Sequence, residues 1–140
     1  MTIDSDVSLK SLLFITESLE QPLGLHGAQA ILRTAGQRAA VNLIEMLPLK
    51  VPEEEAACRS GAILAELGFI NQMQMSSPNV MKVTGNHFLE EWGALHLTSS
   101  HSGRFYVIGL FEGFFKQLSG SNKKIITVQT DQNYEYWKLE

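Results

Sequence analysis

An α+β domain, with an antiparallel sheet of about four strands and helices packed mainly on one face, is the fold this sequence predicts. Three observations carry it. Apolar residues recur at helical spacing over the first half of the chain and again over residues 105–120. Four short stretches rich in β-branched, aromatic and methionine residues read as strands. The period changes at turn-forming clusters, Ser76-Ser77-Pro78-Asn79 and Asp131-Gln132-Asn133. The chain shows no internal repeat, low-complexity segment or linker, so residues 1–140 read as one domain.

The elements follow in order. Residues 1–6 offer Asp4, Ser5 or Asp6 as a helix N-cap, and Leu9, Leu12, Leu13, Thr16 and Leu19 form one helical stripe. That helix is expected to stop before Pro22-Leu23-Gly24. A second helix, from His26 or Gly27 to Leu47, is expected to turn Ala28, Ile31, Leu32, Ala35, Ala39, Leu43 and Leu47 inward, and Pro48 ends it. Pro52 in a first turn, with Glu53-Glu54-Glu55 behind it, opens a third helix that runs to Leu67 and closes on Gly68. Strands are expected over 69–75 and 80–84, a short helix over 87–92, and a loop over 93–103 with a little extended structure at 94–98. A final hairpin, 125–130 with 134–139, follows the late helix.

That late helix, FYVIGLFEGFFKQLSG, is the stretch around which the rest is arranged. It is apolar over most of its circumference, the mark of a buried helix. It is too short and too interrupted by Glu112, Lys116 and Gln117 to span a bilayer, which takes about 20 apolar residues. Gly109 and Gly113 lie four apart, and each costs about 1 kcal/mol relative to alanine inside a helix. Close approach by a strand, another helix or a flat ligand is the usual compensation.

Composition sets the outer limits. At 15.6 kDa, with 44% hydrophobic and 19% charged residues, the chain reads as an ordinary globule with a sizeable core. A net charge of −4 with no basic stripe disfavours nucleic acid as a partner. The first ten residues lack the pattern of a signal peptide, and the single Cys58 fits a reducing cytosol.

The segment Ile31-Leu32-Arg33-Thr34-Ala35-Gly36-Gln37-Arg38-Ala39-Ala40 resembles the early helix of the 4-vinyl reductase (hydrocarbon-binding) domain family. Gly109, Gly113 and Leu118-Ser119-Gly120 resemble its late helix, and Leu67-Gly68-Phe69 and the closing hairpin match in order and spacing. The resemblance covers residues 25–140, leaving 1–24 as an N-terminal tail and helix. It implies the fold shared by haem nitric-oxide sensor domains and vesicle transport-particle subunits. It also implies a pocket between helices and sheet for a hydrophobic molecule, a tetrapyrrole or acyl chain, and a homodimer. The cysteines many members carry are missing: Ser102-Gly103-Arg104-Phe105 precedes the late helix, and residues 127–137 hold none. A thiolate metal site is therefore not expected.

Candidate chemistry is sparse. His26, His87, His96 and His101 have no three- or four-residue spacing that would set two ligands on one helix face. They read as surface residues, or one as an axial ligand to a pigment, with His87 and His96 the choices. Cys58 reads as a small buried or half-buried thiol. Glu112 reads as a solvated ion pair with Lys116 four residues on. Arg33 and Arg104 read as solvated, or as partners of a propionate or acyl carboxylate at a pocket mouth. Trp92, Phe105, Phe111 and Phe114 read as core or as pocket wall, with Phe88, Met73, Met75 and Met81 adding adaptable surface. No phosphate loop, dinucleotide fingerprint or catalytic triad pattern is present.

The expectation from these residues and the resemblance is a non-catalytic binding protein. Its cargo would be a non-covalently held hydrophobic molecule, a chlorophyll-type tetrapyrrole or precursor, carried or delivered during photosystem assembly. Its ligand contacts would be Arg33, His87, Trp92, His96, Arg104, Phe105, Gly109, Phe111, Gly113 and Phe114. Its place would be the cytoplasm, peripheral to a photosynthetic membrane, with no membrane span and with photosystem assembly proteins as partners. The alternative is a homodimeric interaction subunit whose pocket is filled by its own side chains. Vinyl reduction is the weakest reading.

Overall fold

A computed structural model describes residues 3–43, 50–85, 104–131 and 134–140. They form α1 (Ile3–Leu43), α2 (Glu53–Glu66), β1 (Gln72–Ser77), β2 (Val80–Thr84), α3 (Arg104–Ser119), β3 (Ile125–Asp131) and β4 (Tyr134–Leu139). The short helix expected over 87–92 and the loop over 93–103 lie outside the described residues.

The two N-terminal helices expected from the pattern follow one another across a kink inside α1. Pro22 sits inside α1, and Gly24 takes φ 73, ψ 170 between two helical runs. Proline removes one backbone donor, and glycine accepts the left-handed φ without a Cβ clash. Together they break the helix close to where the sequence predicts, and a second helical run resumes beyond Gly24.

The inward face of the second helical run differs from the expected one. Ala28, Leu32, Gly36 and Ala40 are buried, whereas Ile31 is 46% exposed and Ala35 is exposed. Burial follows the row of smaller residues four apart because α1 packs on α3, and small side chains let two backbones approach closely.

Leaving α2 follows a common route. Pro52 serves as N-cap, one position before the expected first turn, and Leu67 as C-cap. Gly68 then adopts φ 87. Its N–H donates to the Ala65 carbonyl at 3.1 Å and the Phe69 N–H to that of Leu64 at 3.0 Å, closing the last turn. These residues are occupied in ending the helix, so β1 starts at Gln72 and not at residue 69. The β1–β2 turn is Pro78-Asn79, with Asn79 at φ 65. Proline followed by a residue of positive φ is what a type II turn requires.

The sheet is antiparallel throughout, in the order β1-β2-β4-β3. Alternation sends Met81, Val83, Glu135, Trp137 and Leu139 to the helix-covered face. Tyr134 and Lys138 stand on the other, where Lys82 Nζ lies 3.9 Å from the Tyr134 ring centre. As the sequence predicts, this is an α+β domain with a four-stranded sheet. Its centre is α3, buried at ten positions including Phe111, Phe114 and Phe115. Phe111 stacks on Phe115 at 6.0 Å between ring centres and meets Trp137 edge-on at 5.9 Å. Each such side chain contributes about 1.5–3 kcal/mol by leaving water.

Candidate functional site

The geometry that organises the interior is the contact of α1 with α3. A Cβ added to Gly36 would meet the Tyr106 carbonyl oxygen and lie 2.7 Å from the Leu110 nitrogen. One added to Gly109 would fall on the Arg33 carbonyl, and one on Gly113 would lie 2.9 Å from the Gln37 oxygen. Of the compensations open to Gly109 and Gly113, a helix takes both places. Their close neighbours are α1 backbone and, at Gly113, the Ala40 side chain.

A polar clasp crosses the same contact. Arg33 Nε donates to Glu112 Oε1 at 2.7 Å, and Arg33 Nη2 donates both to Glu112 Oε2 and, at 2.6 Å, to the Ile125 carbonyl. Gln37 Nε2 donates to Glu112 Oε1 at 3.0 Å, and the Ile125 N–H to Oε2 at 2.9 Å. The carboxylate is 3% exposed. Hydrogen bonding to it holds the Arg33 guanidinium above its ordinary range, against the opposing effect of burial. Glu112 is therefore not the solvated partner of Lys116, which is exposed. Its neighbours Phe111, Gly113 and Phe115 put position 112 on a buried face, and the inward carboxylate needs a cation. Arg33 answers that need, so the carboxylate it meets is the chain's own.

A second charged pair ties α3 to β4. Arg104, 18% exposed in its side chain, places Nε 3.9 Å from Glu135 Oε1. That oxygen accepts the Trp137 Nε1–H at 3.0 Å. The Arg104 Nε atom is buried without a hydrogen-bond partner. Phe105, next in sequence, is half-buried against the core, and Tyr106 meets Phe69 edge-on at 6.0 Å. Burial pushes the Tyr106 phenol above its usual pKa.

Of the expected contacts, Phe111 and Phe114 are fully buried core. Met81 is core as well, with Met73 and Met75 packed against it. His87, Trp92, His96, His101 and Phe88 lie outside the described residues. His26 is exposed on α1. Cys58 is exposed, not buried, because α2 turns Ala56, Ala57, Ser60, Gly61 and Leu64 inward. Among the described residues no group of three or more His, Cys, Asp or Glu is placed to hold a metal, and no helix is long and apolar enough to cross a membrane.

An open cleft of about 500 Å³ lies between the start of α2 and the β1–β2 turn, lined by Glu53, Ala57, Ser77, Asn79, Lys123 and Leu139 among others. Lys123 Nζ bridges to Glu53 at 2.6 Å. That bond holds the Glu53 carboxyl below its usual range. The lining offers no nucleophile paired with a base.

Sequence reasoning missed Gln37 and the Glu135–Trp137 bond, and it misread Glu112. The available signal for Glu112 was its place inside an otherwise apolar run. Comparison with protein-family models, curated proteins and solved structures finds no match. The likeness to the 4-vinyl reductase family rests on residue pattern alone.

Proposed function

We propose that this chain is a non-catalytic interaction subunit that works as a homodimer, its space between helices and sheet filled by its own side chains. The observation that supports this reading is the occupancy of that space. Phe111, Phe114, Phe115 and Trp137 have no exposed surface, and the two glycines suited to a flat ligand face α1. A function carried by surface contacts is what remains for such an interior. Light scattering on the purified chain tests it: a stable dimer is expected, and a monomer at tens of micromolar would rule it out.

One observation favours a second reading, a carrier of a hydrophobic molecule such as a chlorophyll-type tetrapyrrole acting in photosystem assembly. Arg104 Nε, buried without a hydrogen bond and 3.9 Å from the Glu135 carboxylate, beside half-buried Phe105, suits the carboxylate end of an otherwise apolar ligand entering near the start of α3. Titration with chlorophyllide, protochlorophyllide and haem distinguishes the two. A saturable spectral shift weakened by Arg104→Met supports the carrier. No shift well above about 10 μM, where binding of about −7 kcal/mol registers, supports the interaction subunit.

A further inference from the structure

We infer that the open face of the sheet, turned away from the helices, is a docking site for a short single-stranded nucleic acid. It goes beyond the homodimer reading and does not depend on it. The strand register sets the arrangement. Gln74, Lys82, Tyr136 and Gln129 stand opposite one another across β1, β2, β4 and β3. Tyr134 and Lys138 lie two residues to either side of Tyr136 on β4, and alternation keeps all six on one face. Gln74, Gln129, Tyr134 and Lys138 are exposed, and Lys82 and Tyr136 are half-buried. The two rings, on alternate residues of one strand, stand about 7 Å apart. Lys82 Nζ, 3.9 Å from the Tyr134 ring centre, holds a cation beside the aromatic surface.

The charge of this face runs against that of the chain. The whole chain carries a net charge of −4, yet these six residues carry two lysines and no carboxylate. Among the described residues neither Lys82 nor Lys138 has an ion pair, whereas Arg33, Arg59, Arg104 and Lys123 each have one. Carboxylates stand at the ends of the ladder, Asp131 opposite Tyr134 and Glu140 two residues beyond Lys138, and Glu135 is buried on the other face. The Gln74 and Gln129 amides and the Tyr136 hydroxyl make no hydrogen bond within the described chain.

These features choose the occupant. An acidic peptide would use the lysines and leave the rings unmatched, and a neutral sugar would do the reverse. A single strand uses both: phosphates meet the lysines, base faces stack on the tyrosines, and base edges reach the amides. A duplex hides its base faces and offers the rings nothing. The net charge of −4 opposes long-range attraction, so the contact is weak and short.

The test is fluorescence anisotropy of labelled ten-nucleotide oligo(dT) and oligo(U) with the full chain. A duplex of equal length and a ten-residue polyglutamate serve as competitors. Saturable binding with a Kd of about 1–100 μM is expected. Two phosphate contacts predict about sevenfold weaker binding at 200 mM than at 50 mM salt. Tyr134→Thr with Tyr136→Thr should weaken binding at least about tenfold and keep the salt dependence. Lys82→Gln with Lys138→Gln should weaken it and remove that dependence, with circular dichroism confirming the fold of each variant. Amide chemical-shift changes in the unsubstituted protein should fall on β2 and β4, a readout that needs no variant. No saturation well above about 100 μM overturns the site. So do shift changes confined to other elements, binding unmoved by both double substitutions, or equal competition by the duplex. Equal competition by polyglutamate also overturns it, in favour of an acidic protein segment as the occupant.

Discussion

Arg33 and Glu112 stand 79 positions apart and meet through two hydrogen bonds of one guanidinium to one carboxylate, with the Gln37 amide and the Ile125 N–H and carbonyl completing the set. One clasp thus fixes α1, α3 and the first residue of the edge strand β3 to each other. Removing one partner leaves a buried charge without its counter-ion. Arg33→Met is expected to cost about 3–5 kcal/mol in urea unfolding. Arg33→Met with Glu112→Leu should cost less than the sum of the single changes by at least about 1 kcal/mol. Additivity would show that the two charges are not coupled.

Gly109→Ala and Gly113→Ala should each destabilise by about 1–3 kcal/mol, as overpacked sites do. In an exposed helix the same change would stabilise by about 1 kcal/mol. The new methyl would meet the Arg33 carbonyl at Gly109, and the Ala40 Cβ and Gln37 carbonyl at Gly113, none of which the helix can move cheaply. A raised melting temperature for either variant would mean that the helices are not in close contact there.

Gly68→Ala tests a different cause. Nothing lies within 4 Å of the added Cβ, yet φ is 87. The cost should be about 1–2 kcal/mol from left-handed backbone alone. Gly68→Asn should recover part of it, since asparagine tolerates that region.

Two groups give the stability profile opposite slopes at its two ends. Tyr106 holds its proton more tightly folded than the ordinary 10.0. Its contribution is therefore complete below pH 10 and lost as pH rises through the higher folded value. Glu53 is lowered from 4.5 by Lys123. Its contribution is present above pH 4.5 and lost as pH falls through the lower folded value. Tyr106→Phe should flatten the alkaline limb of a stability titration and Lys123→Met the acid limb, each leaving the other unchanged.

Much of the fold was legible because periodicity reports which residues seek burial. α3, β2 and the closing hairpin fall within a residue or so of their expected bounds, and Gly68 ends α2 as expected. Where local chemistry allowed two outcomes the sequence did not choose. Small residues around α1 permit several inward faces, and the expected set included Ile31, which is exposed.

The candidate site was less legible for a related reason. Glu112 next to Lys116 offers a local partner, and local pairing is all that spacing reveals. The sequence by itself determined the fold class, the buried character of α3 and the need for something to lie close to Gly109 and Gly113. Only the tertiary structure decided that this something is α1, and that Glu112 pairs with Arg33. Both depend on which helix faces meet, and that is set by how the whole core excludes water, not by any one segment.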